Sequence, residues 1–149
     1  MNFLQNLFND KIPVTKHLGL KVNHYDEKGL VIKAPLDDNK NDKNTAFAGS
    51  LYSVSALAGW GFLTLKFREA NVNATVVMSK ADVSFNKPVT DDFQAVCNLE
   101  DMEIWEKLKN RVVRKKNGKI ILPINIYHQD DPKEPKATIT AEYFAWLNN

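Results

Sequence analysis

The sequence predicts an α+β fold in which one long helix is buried against an antiparallel sheet. Three observations carry that reading. The run from Asn44 to Leu65 holds no charged residue and is rich in Ala, Ser, Gly and Leu. Ahead of it, two strand-like segments flank Asp26-Glu27-Lys28-Gly29, as in a β-hairpin. Behind it, apolar residues recur at every second position through several further segments.

Taken in order, Phe3, Leu4, Leu7 and Phe8 repeat at helical spacing and predict a short opening helix over residues 2–9. Ile12-Pro13 interrupts it, and Val14 to Leu18 adds one more turn before Gly19. Leu20 to Tyr25 and Leu30 to Leu36 form the hairpin, and Asp37 to Asn44 is a polar loop. In the uncharged run, Leu51, Val54, Leu57, Ala58, Phe62 and Leu65 share one helical stripe, while Tyr52, Ala56 and Trp60 fill another face. Ser50, Ser53, Ser55 and three interspersed glycines favour a core helix over a membrane span. Leu57 and Trp60 are expected in the core.

The period then changes. Val77, Ser79, Ala81, Val83 and Phe85 alternate with Met78, Lys80, Asp82 and Ser84, which predicts a strand with one wet face, ended by Pro88. Phe93 to Leu99 is the next strand. Residues 101–116 form a helix on Met102, Trp105, Leu108 and Val112, with Gly118 as its stop. Ile120 to Tyr127 is a strand in which Pro123 requires an edge position or a bulge. Asp130 to Pro135 is a turn, and Ala137 to Leu147 closes the chain as a strand. There is no internal repeat and no linker, so residues 1–149 are expected to form a single domain.

Composition narrows the function. A hydrophobic share of 44% over 149 residues suits one buried core, and a net charge of +2 names no nucleic-acid or membrane partner. One cysteine, Cys97, forms no internal disulfide, and its alternating surroundings make it a small buried hydrophobe rather than a reactive thiol. The three histidines are scattered, so no metal site and no cofactor are expected. Met1 to Asp10 lacks a basic start, a long apolar stretch and a small-residue cleavage site. A cytoplasmic location is therefore expected.

Two stretches look familiar. Asn41-Asp42-Lys43-Asn44-Thr45-Ala46-Phe47-Ala48-Gly49-Ser50 is similar to the N-x-x-G-T-x-H-G-G run that opens the central helix of many hotdog thioesterases. Val83 to Val89 is similar to the strand ending in Phe-x-x-Pro that follows that helix. The fuller run Asn41 to Trp60 resembles the thioesterase family of the YiiD C-terminal type, some members of which are fused to an acetyltransferase domain. The resemblance implies a hotdog fold, an antiparallel sheet wrapped around the central helix. It further implies a homodimer or a dimer of dimers, acting on an acyl thioester of coenzyme A or acyl carrier protein. Phe47 stands where better-known enzymes of this fold carry histidine, and Ala56 where they carry a carboxylate. No Asp or Glu lies between Lys43 and Arg68.

Thioester hydrolysis needs a positioned water, a proton acceptor and donors for the oxyanion. Backbone N–H groups at a helix start are such donors, and Gly49 and Ser50 would supply them. Asn41 either orients a water or holds a carbonyl, or it is an Asx-turn residue of the loop. Asp42 is the lone carboxylate of the motif, a base if its loop folds over the pocket and a solvated residue otherwise. Ser53 either holds the water or bonds back to its own backbone. Thr45 either borders the substrate or caps the helix. Phe47 and Phe85 are expected on the substrate. Lys107, Lys109, Arg111, Arg114, Lys115, Lys116 and Lys119 form a solvated basic face, or a landing patch for phosphates or an acidic carrier protein. The expected function is thioester hydrolysis at a site between two protomers. The alternatives are a non-catalytic acyl-binding hotdog protein and acyl transfer with an acyl carrier protein.

Overall fold

Leu4 and Phe8, one helical turn apart, are both fully buried and anchor α1 (Asn2–Lys11) to the rest of the chain. The structure, a computed structural model, describes residues 1–149. Gln5 ties α1 to the sheet by accepting from Val22 N at 2.8 Å and donating to the Leu20 carbonyl at 3.2 Å. After the single turn α2 (Val14–His17) come β1 (Lys21–Tyr25) and β2 (Gly29–Ala34). Asp26 Oδ1 accepts from Lys28 N and Gly29 N at 2.9 and 3.0 Å, which closes the expected hairpin as an Asx-turn.

The remaining elements are α3 (Ala48–Glu69), β3 (Ala74–Phe85), β4 (Phe93–Asn98), α4 (Met102–Lys115), β5 (Asn117–His128) and β6 (Ala137–Leu147). The sheet has the order β1-β2-β4-β5-β6-β3, with every pairing antiparallel. Helix α3 touches β2, β3, β4, β5 and β6, so the sheet is folded about it in the hotdog manner. Val54, Ala58, Phe62 and Leu63 are fully buried along its inner side.

Three contacts set the depth of α3. Tyr143, fully buried on β6, donates to the Ala56 carbonyl at 2.8 Å, and its phenol fills the space that a side chain at Gly59 would occupy. Trp60 Nε1 donates to the Val76 carbonyl at 2.9 Å and so fixes the helix to β3. Tyr25 donates to Glu69 at 2.8 Å, joining β1 to the last turn of α3.

Several expectations are corrected. Helix α3 starts at Ala48 and runs to Glu69, because residues 41–45 close on themselves first. Leu57 and Trp60 pack on the core but stay half-exposed on an open side of α3 with Tyr52 and Ala56. In β3 the register shifts between Met78 and Lys80, so the inward face switches from Val76 and Met78 to Ala81 and Val83. The predicted single alternation from Val77 to Phe85 does not hold, and Val77 and Phe85 are exposed. Gly118 does not stop α4. Lys116 takes the left-handed position with φ 72°, and Gly118 lies in β5 under the Leu108 side chain. Pro123 sits one residue beyond the last β4–β5 pair, Cys97 with Ile124, so its segment pairs with β6 alone.

Candidate functional site

Helices α3 and α4 begin in opposite ways. Asp101 caps α4 by accepting from Glu103 N at 2.9 Å, as capping preferences lead one to expect. At α3 the capping position is Phe47, which has no side chain able to accept. Its carbonyl takes Ser50 N at 2.9 Å and Leu51 N at 3.1 Å. The N–H groups of Ala48 and Gly49 have no hydrogen-bond partner in the protein. This changes the expected donor pair. Ser50 N–H is used up by a tight first turn, and Ala48 replaces it beside Gly49.

The loop ahead of the helix is organised by Asn41. Its Oδ1 accepts from Lys43 N at 2.8 Å and Thr45 N at 3.2 Å, while its Nδ2 donates to Thr45 Oγ1 at 2.9 Å. Asn41 N also donates to the Thr45 carbonyl at 2.7 Å. The Asx-turn reading of Asn41 therefore describes it, and Thr45 braces the loop instead of capping α3. Ala46 N donates to the Val89 carbonyl at 2.8 Å and Phe47 N to the Asn39 carbonyl at 2.7 Å, which seats the loop against its neighbours.

Between this loop and the end of β3 lies an open cavity of about 280 Å³. Asn41, Thr45, Ala48 and Leu51 line one side, and the stretch from Phe85 to Val89 lines the other. The structure thus brings Asn41, Thr45 and Phe85 together. Phe47 is 55% exposed, with its ring over Gly49, outside the cavity lining. Asp42 is not brought in: its side chain is 81% exposed and pairs with Lys43 at 3.0 Å. Ser53 Oγ donates to the Gly49 carbonyl at 2.8 Å, the back-bonded arrangement. Ser50 is buried in the first turn.

Sequence reasoning missed Ala48, Leu51 and Lys87. The Phe-x-x-Pro run pointed to Lys87, since it sets Phe85 to Pro88 as one wall. Lys87 pairs with Glu134, and that hydrogen bond, with a second from Lys136, holds the Glu134 carboxyl below the usual range. The cavity lining includes no carboxylate and no histidine. His128 is outside the lining, and its Nε2 accepts from Thr90 N at 3.0 Å. The basic run lies elsewhere. Trp105 of α4 packs edge-on against Phe67 at 4.9 Å, near the C-terminal end of α3, roughly 30 Å along a helix of this length from Gly49.

A family model described as "Putative thioesterase (yiiD_Cterm)" matches residues 1–145. Among solved structures, a protein of unknown function from Chlorobaculum tepidum is 31% identical with a TM-score of 0.92, covering 99% of this chain and 94% of that one. A Shewanella oneidensis protein described as a "putative thioesterase" is 23% identical with a TM-score of 0.84, over 99% and 96% of the two chains. A Pseudomonas aeruginosa protein described as a "probable thioesterase" is 18% identical with a TM-score of 0.84, over 99% and 95%. At those identities the last two show the shared fold. With a model match over nearly its whole length and the hotdog arrangement of sheet and helix, the chain belongs to the thioesterase family of the YiiD C-terminal type.

Proposed function

We propose that the protein hydrolyses an acyl thioester of coenzyme A or acyl carrier protein, at a site that a second protomer completes. The observation that carries this reading is the uncapped start of α3, where the N–H groups of Ala48, which lines the cavity, and of Gly49, the next residue, have no partner in the protein. The helix adds about half a positive charge there. A thioester carbonyl placed on these donors is polarised, and attack by water gives a tetrahedral oxyanion that the same two groups hold. Collapse of that intermediate breaks the C–S bond. The thiolate leaves and takes up a proton, and the acid is released.

The proton acceptor for the water comes from solvent or from the second protomer, since the lining supplies neither carboxylate nor histidine. Dimerisation is supported by two open surfaces. The outer edge of β3 has no strand beside it, and the open side of α3 leaves Tyr52, Leu57 and Trp60 partly uncovered.

A second reading is a non-catalytic acyl-binding protein, favoured by Ala56 where related folds carry a carboxylate. Release of free thiol from acyl-CoAs of graded chain length tests the two. Saturable release supports hydrolysis. Saturable binding without release at any length establishes the second reading.

A further inference from the structure

Ser55 has no solvent exposure, and its hydroxyl has no hydrogen-bond partner. Its neighbours show the ordinary solution. Ser53 donates back to the Gly49 carbonyl and Thr64 to the Trp60 carbonyl, each at 2.8 Å. Ser55 does not. A buried hydroxyl left unpaired is unfavourable, and alanine is the better helix former at the same position.

Its place in the helix gives the hydroxyl a use. Ser55 follows Leu51 by four residues and Ala48 by seven, and both of those line the cavity at the head of α3. Such spacings put the three on one helical face. Helical side chains lean toward the N-terminus, so Ser55 points up toward the turn of Leu51, the cavity floor. Leu51 is 4% exposed and stands between the cavity and Ser55.

We infer that the acyl pocket deepens past Leu51 and that Ser55 binds a hydrogen-bonding oxygen, a hydroxyl or keto group, carried along the acyl chain. The inference rests on the proposed function only for the carbonyl position at Ala48 and Gly49. Six residues separate Gly49 from Ser55, about 9 Å along the axis, so the recognised oxygen lies several carbons from the thioester. A serine hydroxyl both donates and accepts, which suits either group. A chain ending in carboxylate does not fit, because one neutral hydroxyl leaves a buried charge uncompensated.

The test uses non-hydrolysable thioether analogues of octanoyl-CoA, plain and hydroxylated at successive carbons from the middle of the chain to its end, with binding measured by calorimetry. Wild type should bind at least one hydroxylated analogue about tenfold or more tightly than the plain one. Ser55→Ala should remove that preference, leave affinity for the plain analogue within about twofold, and melt no lower than wild type. Equal preference in wild type and Ser55→Ala overturns the inference, as does failure of both analogues to bind. A fall in melting temperature for Ser55→Ala with discrimination unchanged would assign the hydroxyl to a structural water and overturn it as well. Thiol release from ordinary octanoyl-CoA is scored separately: its absence counts against hydrolysis, while the binding result still decides the role of Ser55.

Discussion

A phenol on β6 sets the separation between the sheet and α3. Tyr143 fills the space beside Gly59 and donates to the Ala56 carbonyl, so a methyl group at 59 meets an aromatic ring that has nowhere to move. Gly59→Ala should cost about 1–3 kcal/mol by overpacking, read as a lower denaturant midpoint with an unchanged slope. Gly49→Ala should cost less, because its added carbon meets the outer end of the exposed Phe47 ring. Cys97 makes a second prediction at this scale. Burial pushes its thiol up to about 12, so the thiolate is scarce and inaccessible in the native protein. A thiol reagent at pH 8 should leave the folded protein unmodified and label one group per chain after denaturation. The buried character of Cys97 was legible from the alternation around it. The orphaned hydroxyl of Ser55 was not, because sequence does not show which carbonyl a serine fails to reach.

At the scale of elements, the core helix was legible because an uncharged run of that length has few other uses in a chain with polar surroundings. Its start was legible to within a residue from the Gly49-Ser50 motif, but its free donors were not, since the first turn follows a loop in which Asn41 closes residues 41–45. The same closure moved the free donors from Gly49 and Ser50 to Ala48 and Gly49. The cavity beside this loop was thus foreshadowed by a local motif, while which N–H groups are left free depends on one hydrogen bond, from Ser50 N to the Phe47 carbonyl. The bulge in β3 and the role of Gly118 also needed partner strands and a packed helix to become visible. A comparison across α3 tests the placement of its two faces. Phe62→Ala, at a fully buried site, should cost about 3–5 kcal/mol. Leu57→Ala should cost clearly less in a monomeric state, and its cost should rise with protein concentration if a partner covers that side.

For the whole molecule, the two ends of α3 do different work. The C-terminal end is locked by Phe67, Trp105 and the Tyr25–Glu69 bond, while the N-terminal end opens on the cavity and is left uncapped. The long free edge of β3 should be paired in solution, and sedimentation at low micromolar concentration should give a dimer or a multiple of it. A stable monomer would remove the shared-site arrangement. The measurement closest to the central claim is thiol release from octanoyl-CoA by wild type and Gly49→Val, with Asp42→Asn alongside and folding checked for each. Wild type should turn over, Gly49→Val should lose on the order of 10²-fold in kcat/KM while remaining folded, and Asp42→Asn should match wild type. Equal turnover by wild type and Gly49→Val would contradict an active site at the start of α3.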